Sequence, residues 1–294
     1  MKPNFLIVGA AKSGTTSLHD YLRQHPDIFL PEWKEPSFFI ADPAGIVHRT
    51  GTLFSYLQLF KNSENHTAIG EASTGYLYDE GAPKGIKKAL GSIKILIVLR
   101  DPVEMSYSLY NHQVRKEGET LKTFEEALAV EHDRFKDPAF KQKCYGWHAN
   151  FYYYHRGLYY EQVKRYLETF DSSNILIIRF KDIVAEPIRV VRKIFGFLGA
   201  EPTFEPVIKV LNPAGEILNI PRFWEDTGNF RKTVSFVFSG NIFRKVPHLI
   251  RSIGLKPPQP INAETERALR KRFYDDICRL EKLIDRDLSA WKLN

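Results

Sequence analysis

The chain has 294 residues, a length that fits one large α/β domain or two smaller ones. Hydrophobic residues make up 43% and aromatic residues 13% of the sequence, so the composition predicts a sizeable core and excludes disordered and fibrous proteins. The net charge of +7 leaves three classes of partner, namely nucleic acid, an anionic membrane surface and an anionic small molecule.

The distribution of basic residues and cysteines narrows these classes. The lysines and arginines form no single arginine-rich tract and often stand beside Asp or Glu, which favours one basic cleft on a solvated surface over nucleic-acid binding. Cys144 and Cys278 predict neither a disulfide framework nor a metal site. The first apolar run is too short for a signal segment, and no run approaches the about 18 residues of a membrane span. We therefore expect a cytoplasmic protein without a transmembrane segment.

Short apolar runs alternate with amphipathic helical patterns along the chain. Such runs suit strands that are buried on both faces, and their alternation with helices predicts a doubly wound α/β fold with a parallel sheet and flanking helices. The predicted strands are 5–8, 67–70, 93–99 and 174–178. The predicted helices are 15–24, 53–61, 82–90, 102–116, 148–170, 186–198 and 263–285.

The segment 211–260 has a different character, because it is rich in proline and glycine and lacks a clear period. A long irregular segment inside a compact domain is usually functional. We expect a single domain over residues 1–294, with 211–260 as a lid that closes over a bound ligand. Its mixed apolar and basic stretch is expected to pack on the domain, with peripheral contact to a membrane as the alternative.

The loop between the first predicted strand and helix is typical of phosphate binding. The run 9–16 has the glycine spacing of an ATP- or GTP-binding loop, but Thr15 stands where that pattern has its lysine, and the lysine lies at Lys12. Backbone N–H groups at a helix N-terminus bind anions. An early lysine followed by several hydroxyls suits one phosphate that carries a sulfuryl group. The hydroxyl residues are Ser13, Thr15, Thr16 and Ser17.

The run Lys12-Ser13-Gly14-Thr15-Thr16-Ser17-Leu18 resembles the 5′-phosphosulfate loop of sulfotransferases that use 3′-phosphoadenosine 5′-phosphosulfate (PAPS). More specifically, it is similar to the heparan sulfate branch and its bacterial relatives. The resemblance implies that the loop, including Gly14, holds the phosphosulfate of the donor. It also implies that Lys12 contacts the bridging oxygen and stabilises the departing phosphate of adenosine 3′,5′-bisphosphate.

A second phosphate-binding element is predicted after the third predicted strand. Arg100 follows that strand directly, at the edge where open α/β sheets bind their ligands, and Ser108 lies on the next helix. The segment 100–110 is similar to the family's 3′-phosphate element, which implies that Arg100 and Ser108 bind the 3′-phosphate. Asp101 is expected to cap the helix. The alternative is a phosphate-loop kinase or nucleotidase that uses ATP or GTP, with Asp101 holding magnesium.

Two residues are candidates for removing the acceptor proton. The run Glu35-Pro36-Ser37-Phe38-Phe39 resembles the family's Glu-x-x-Phe-Phe motif, which implies that Glu35 is the catalytic base. His112 follows Ser108 by four residues, so both side chains lie on one side of a helix. It matches a histidine that lies near the acceptor in the N-sulfotransferase relatives. Ala72 stands where several relatives carry a lysine, which argues against assuming that the chain shares their polysaccharide substrate.

Two further donor contacts come from looser matches. The run Arg156-Gly157-Leu158-Tyr159 recurs in relatives at the donor or acceptor cleft, which implies a role for Tyr159. Arg222 falls where the family has a loop that closes over adenosine bisphosphate. The resemblance as a whole implies a metal-free sulfotransferase that moves a sulfuryl group from PAPS to a hydroxyl or amine. Small molecules, glycans and lipids are all compatible acceptors, and a catalytically silent binding module is a third alternative.

Overall fold

The computed structural model describes residues 1–41, 51–144, 146–208, 216–217, 255–256 and 259–292. The chain forms two compact units, the first comprising 1–211 and 261–294 and the second comprising 212–260. The prediction of a single domain with a lid stays a prediction, because Arg222 and most of the segment 211–260 lie outside the described residues. In the described part of the chain, no helix is long and apolar enough to cross a membrane.

The first unit is built on a five-stranded parallel sheet with the order β2-β3-β1-β4-β5. All five strands therefore end at one edge, and the loops that follow β1, β3 and β4 lie side by side there. The strands are β1 (Phe5–Gly9), β2 (Ile28–Phe29), β3 (Ala68–Ala72), β4 (Lys94–Leu99) and β5 (Ile175–Arg179). In the second unit, β6 (Glu216–Ile217) pairs antiparallel with β7 (Leu255–Lys256).

Helices cover both faces of the sheet. The helices before β5 are α1 (Thr15–Arg23), α2 (Leu53–Leu57), α3 (Ala82–Leu90), α4 (Pro102–Arg115), α5 (Phe124–Ala129), α6 (Glu131–Lys136), α7 (Pro138–Lys143) and α8 (Tyr159–Thr169). Those after β5 are α9 (Phe180–Ala185), α10 (Pro187–Leu198) and α11 (Ala263–Ile284).

Successive residues of a strand pack alternately into two separate hydrophobic cores, one on each face of the sheet. Leu6 and Val8 of β1 belong to the core formed with α3, α4, α8 and α11. Phe5 and Ile7 belong to the core formed with α1, α9 and α10 on the other face. A parallel sheet with a core on each face is the doubly wound α/β fold predicted from the sequence, which is thus confirmed.

The predicted helix over 148–170 is wrong in its first half. Two 3₁₀ turns, His148–Phe151 and His155–Gly157, precede α8, which begins at Tyr159. The buried Glu131 carboxylate accepts hydrogen bonds from the backbone N–H groups of Tyr154 (2.8 Å) and His155 (2.9 Å), which removes them from a helical ladder. Short elements were missed as well, including β2, α9 and the three helices α5 to α7, because each is too short to show a clear period.

Candidate active site at the carboxyl edge of the sheet

The loop after β1 folds tightly onto the end of the sheet. Gly14 takes the N-cap position of α1 with a φ of 78°, and a Cβ atom there would lie 2.7 Å from the Phe180 ring. Lys12 also has a left-handed backbone, with a φ of 58°. The backbone N–H of Ala10 donates to the Val98 carbonyl of β4 at 2.6 Å, which ties the loop to the sheet. These constraints leave the loop amides at the N-terminus of α1, where an anion binds well.

The hydroxyl residues of the loop differ in exposure. Ser13 and Thr15 are buried, and the Ser13 hydroxyl donates to the Ala11 carbonyl at 3.3 Å. Ser17 is half-buried and Thr16 is exposed. Ser13 and Thr15 therefore shape the loop from inside, whereas the Thr16 side chain faces solvent. The predicted contacts of these four residues with the donor stay predictions.

The two predicted phosphate elements meet in space. The Arg100 guanidinium donates from Nη1 to the Lys12 carbonyl at 3.1 Å, across 88 residues of sequence. It also pairs through Nε with Glu104 at 3.0 Å and lies 4.9 Å from the centroid of the Phe180 ring. Arg100 is thus fixed against the loop, and Phe180 contacts both elements.

Positive charge accumulates around Lys12. Burial, and then the charges of Arg115, Arg100, Lys116 and Lys34, lower the pKa of the Lys12 ammonium to about 8. Within the described ranges, the Lys12 ammonium makes no hydrogen bond and no ion pair. A half-buried ammonium whose proton is destabilised by neighbouring cations gains most from a bound anion.

One face of α4 continues this site. Ser108, His112 and Arg115 lie at positions i, i+4 and i+7, so they share one side of the helix, and all three are half-buried. Burial, followed by the charges of Lys12, Lys116 and Arg115, lowers the pKa of the His112 imidazole to about 3. His112 is therefore neutral at physiological pH and can accept or donate a hydrogen bond.

Three outer cations of this site, Lys34, Arg115 and Lys116, were not predicted from the sequence. The helical spacing from His112 could have identified Arg115. No motif indicates Lys34, because its proximity to Lys12 depends on the chain fold.

Glu35 is held at the end of β3. Its Oε2 accepts from the Thr74 backbone N–H at 2.8 Å, and its Oε1 accepts from the Thr74 hydroxyl at 3.1 Å. Lys34 forms an ion pair with the same carboxylate. The side chain of Glu35 is 36% exposed, so an acceptor can reach it from solvent. This arrangement is compatible with a general base, although its catalytic role stays a prediction.

A buried arginine supports the same element. Arg156 donates from Nη2 to the Thr74 carbonyl at 3.3 Å and from Nη1 to Asn150 at 3.1 Å. Its guanidinium also lies close to the rings of Tyr78 and Trp147, at 5.5 and 5.1 Å from their centroids. Burial lowers the pKa of Arg156 to about 10, so it stays charged at neutral pH. The sequence indicates Arg156 only as part of the run 156–159, with no role of its own.

The structure also places two further residues that the sequence singled out, Tyr159 and Asp101. Tyr159 is 1% exposed and lies in the core, with its ring 6.4 Å from that of Trp291. Its predicted contact with the donor stays a prediction. Asp101 caps α4, because its Oδ1 accepts from the N–H groups of Val103 (2.9 Å) and Glu104 (3.3 Å). Its Oδ2 pairs with Arg270 at 3.0 Å.

A parallel sheet whose first strand leads into a cationic loop at a helix N-terminus defines a phosphate-loop-like α/β protein. Residues 2–214 match the family model described as the sulfotransferase domain. The crystal structure of a sulfotransferase from Alicyclobacillus acidocaldarius is 33% identical, with a TM-score of 0.75 over 99% of both chains. The chain belongs to the sulfotransferase domain family, which confirms the family predicted from the sequence.

Curated relatives carry this domain within longer proteins. Mouse bifunctional heparan sulfate N-deacetylase/N-sulfotransferase 4 is 29% identical over 98% of this chain, which spans 31% of the relative. Human carbohydrate sulfotransferase 15 is 28% identical over 69% of this chain, with 45% of the relative covered. The chain thus spans less than half the length of these two relatives.

Proposed function

We propose that the protein transfers a sulfuryl group from PAPS to a hydroxyl or amine of a carbohydrate. The observation that carries this proposal is the contact between Arg100 and the Lys12 loop, which joins two anion-binding elements at one sheet edge. PAPS carries a 5′-phosphosulfate and a 3′-phosphate, so two linked anion sites match its charge pattern. Support for a carbohydrate comes from relatives named for heparan sulfate and carbohydrate substrates.

The residues divide between the two ends of the donor. The loop amides between Lys12 and Ser17, at the N-terminus of α1, hold the 5′-phosphosulfate. Arg100 and Ser108 hold the 3′-phosphate, and the guanidinium geometry suits a phosphate. The cations around Lys12 offset the negative charge of the donor.

The reaction is a displacement at sulfur. The acceptor oxygen or nitrogen forms a bond to sulfur while the bond from sulfur to the 5′-phosphate oxygen breaks, which releases adenosine 3′,5′-bisphosphate. Glu35 takes the acceptor proton, and the Lys12 ammonium stabilises the charge that develops on the departing phosphate. The neutral imidazole of His112 orients the acceptor by a hydrogen bond. The half-exposed position of Glu35 leaves room for the acceptor.

The kinase alternative is less well supported by the geometry. A phosphate-loop kinase needs an acidic residue that is free to hold magnesium after the strand. Asp101 is the candidate, but its two oxygens are occupied by the α4 N-terminus and by Arg270. Thr15, which replaces the loop lysine of that class, is buried.

Binding of adenosine 3′,5′-bisphosphate without magnesium tests the proposed donor. At a hundredfold excess over Kd, the ligand should stabilise the fold by about 2.7 kcal/mol. Lys12→Ala and Arg100→Ala should each weaken binding at least about tenfold, as expected for lost charge-assisted contacts. Lys88→Ala and Arg189→Ala are matched controls, because both residues are exposed. Stabilisation by ATP with magnesium alone would favour the kinase.

A transfer screen tests the acceptor. Labelled PAPS is incubated with N-deacetylated heparosan, chondroitin, simple phenols and lipid vesicles that carry glycolipids. We expect label in one of the two glycans, and the position of the label distinguishes N- from O-sulfation. Transfer only to phenols or lipids would contradict the carbohydrate proposal and leave the donor proposal intact.

A further inference from the structure

The loop that carries Glu35 has an unfavourable backbone conformation. Glu35 has a φ of 62° and Ser37 a φ of 56°, so two non-glycine residues lie in the left-handed region within three positions. Residues other than glycine are destabilised in this backbone region by steric contacts of their Cβ atom. They therefore adopt it only where the surrounding structure holds them in place. The interactions that hold this loop are therefore part of what places Glu35.

The end of β3 supplies those interactions. The backbone N–H of Glu35 donates to the Ala72 carbonyl at 3.0 Å. The backbone N–H of Ser37 donates to the Ser73 hydroxyl oxygen at 3.0 Å. With the contact from Thr74 to the Glu35 carboxylate, the loop is held at three points by three consecutive residues.

The Ser73 hydroxyl is oriented by a buried carboxyl group. It donates to Glu71 Oε2 at 2.8 Å, which leaves its lone pairs to accept from Ser37. Glu71 is 1% exposed, and its Oε1 accepts from the Tyr56 hydroxyl at 3.3 Å. Among the described residues, Glu71 has no lysine or arginine partner in an ion pair. A buried carboxyl group without a cation costs free energy, and the proposed reaction makes no direct use of it.

We propose that Glu71 is a positioning residue for sulfuryl transfer, acting through the Glu71–Ser73–Ser37 hydrogen-bond chain to hold Glu35 in its strained conformation. This inference rests on the proposed function, in which Glu35 is the base. Loss of the chain lets Ser37 relax out of the left-handed region, and Glu35 moves with it. The donor loop is a separate element, so donor affinity stays unchanged.

Ser73→Ala and Glu71→Gln test the chain, with Ser63→Ala as the matched control. Ser63 is also a buried serine whose hydroxyl donates one hydrogen bond, at 2.6 Å to Phe60. With labelled PAPS and N-deacetylated heparosan, each chain variant should lower kcat about 10- to 100-fold, because a base displaced by about 1 Å loses that much. The Kd for adenosine 3′,5′-bisphosphate should stay within about twofold in all variants, since no donor contact changes.

A second substitution separates positioning from general stability. Glycine adopts the left-handed conformation without strain, so Ser37→Gly should restore most of the kcat lost in Ser73→Ala. It should not restore the activity of Glu35→Gln. Unchanged kcat in both chain variants, or no recovery in the Ser73→Ala/Ser37→Gly protein, would overturn the inference. Should Glu71→Gln fail to fold, the Ser73→Ala series decides alone.

Amide hydrogen exchange tests the chain without any acceptor. The Ser37 N–H should exchange at least about tenfold faster in Ser73→Ala than in the unchanged protein, and at an unchanged rate in Ser63→Ala. Equal exchange in Ser73→Ala contradicts the chain itself. Faster exchange together with full activity in Glu35→Gln contradicts the proposed role of Glu35 and leaves the structural chain in place.

Discussion

Donor affinity should fall steeply as the pH rises above 8, and Lys12 is the reason. Burial and the nearby cations lower the pKa of its ammonium from the ordinary 10.5 to about 8. A bound phosphate compensates those charges, so the complex favours the protonated lysine and raises this pKa again. If the bound form regains 10.5, linkage predicts about 20-fold weaker binding at pH 9.5 than at pH 7.5.

Calorimetric titration with adenosine 3′,5′-bisphosphate between pH 7.5 and 9.5 measures this effect. His112 does not contribute in that range, because its pKa lies near 3. In Lys12→Gln, binding should be weaker at pH 7.5 and nearly independent of pH. A Kd that stays constant from pH 7.5 to 9.5 in the unchanged protein would refute the reasoning, since the Lys12 ammonium would then not face the bound phosphate.

Three further outcomes follow from the geometry. Burial raises the pKa of the Glu71 carboxyl to about 7, above its unfolded value of 4.5. The folded protein therefore loses stability as the pH rises from 4.5 through 7, by roughly 3 kcal/mol in total. Thermal unfolding should therefore show Glu71→Gln gaining stability relative to the unchanged protein between pH 5 and 8, and a constant difference would contradict this. His112→Ala should lower kcat about 10- to 100-fold at every pH from 6 to 8, because the imidazole stays neutral in this range. Ionisation of His112 between pH 6 and 8, measured by NMR, would contradict this prediction. Gly14→Ala should abolish donor binding, because the new methyl group would lie 2.7 Å from Phe180. Gly199→Ala is the matched control, because Gly199 has the same left-handed backbone (φ 84°, ψ 21°) and its new methyl group would meet only the end of the Lys94 side chain, at 3.9 Å. It should cost only about 1 kcal/mol in chemical unfolding and leave donor binding unchanged.

The sequence predicted the parts of the site that follow buried strands. Apolar runs located β1 and β4, and residues that directly follow parallel strands must meet at one edge. This is why Lys12 and Arg100 could be placed at the same site before the structure was known. The proximity of these two residues follows from the adjacency of β1 and β4, so it can be predicted without knowing how the side chains pack.

The supports of Glu35 could not be predicted in the same way. Thr74 and Ser73 contact the Glu35 loop across more than thirty residues of sequence, and no period or motif specifies those hydrogen bonds. The prediction of a helix over 148–170 was wrong for a related reason. Two backbone N–H groups in its first half donate to the Glu131 carboxylate and not to helical carbonyl groups. Local patterns predict elements, whereas buried polar side chains decide where those elements begin and end.

Single-turnover transfer from labelled PAPS tests the central claim most directly. Enzyme in excess over PAPS is mixed with N-deacetylated heparosan or chondroitin, without magnesium, and label in the glycan is followed with time. We predict transfer by the unchanged protein and a rate about 10²- to 10⁴-fold lower in Glu35→Gln, with binding of adenosine 3′,5′-bisphosphate retained. Equal rates in the two proteins would contradict the role of Glu35, and label that remains in PAPS while ATP and magnesium support phosphate transfer would contradict the function itself.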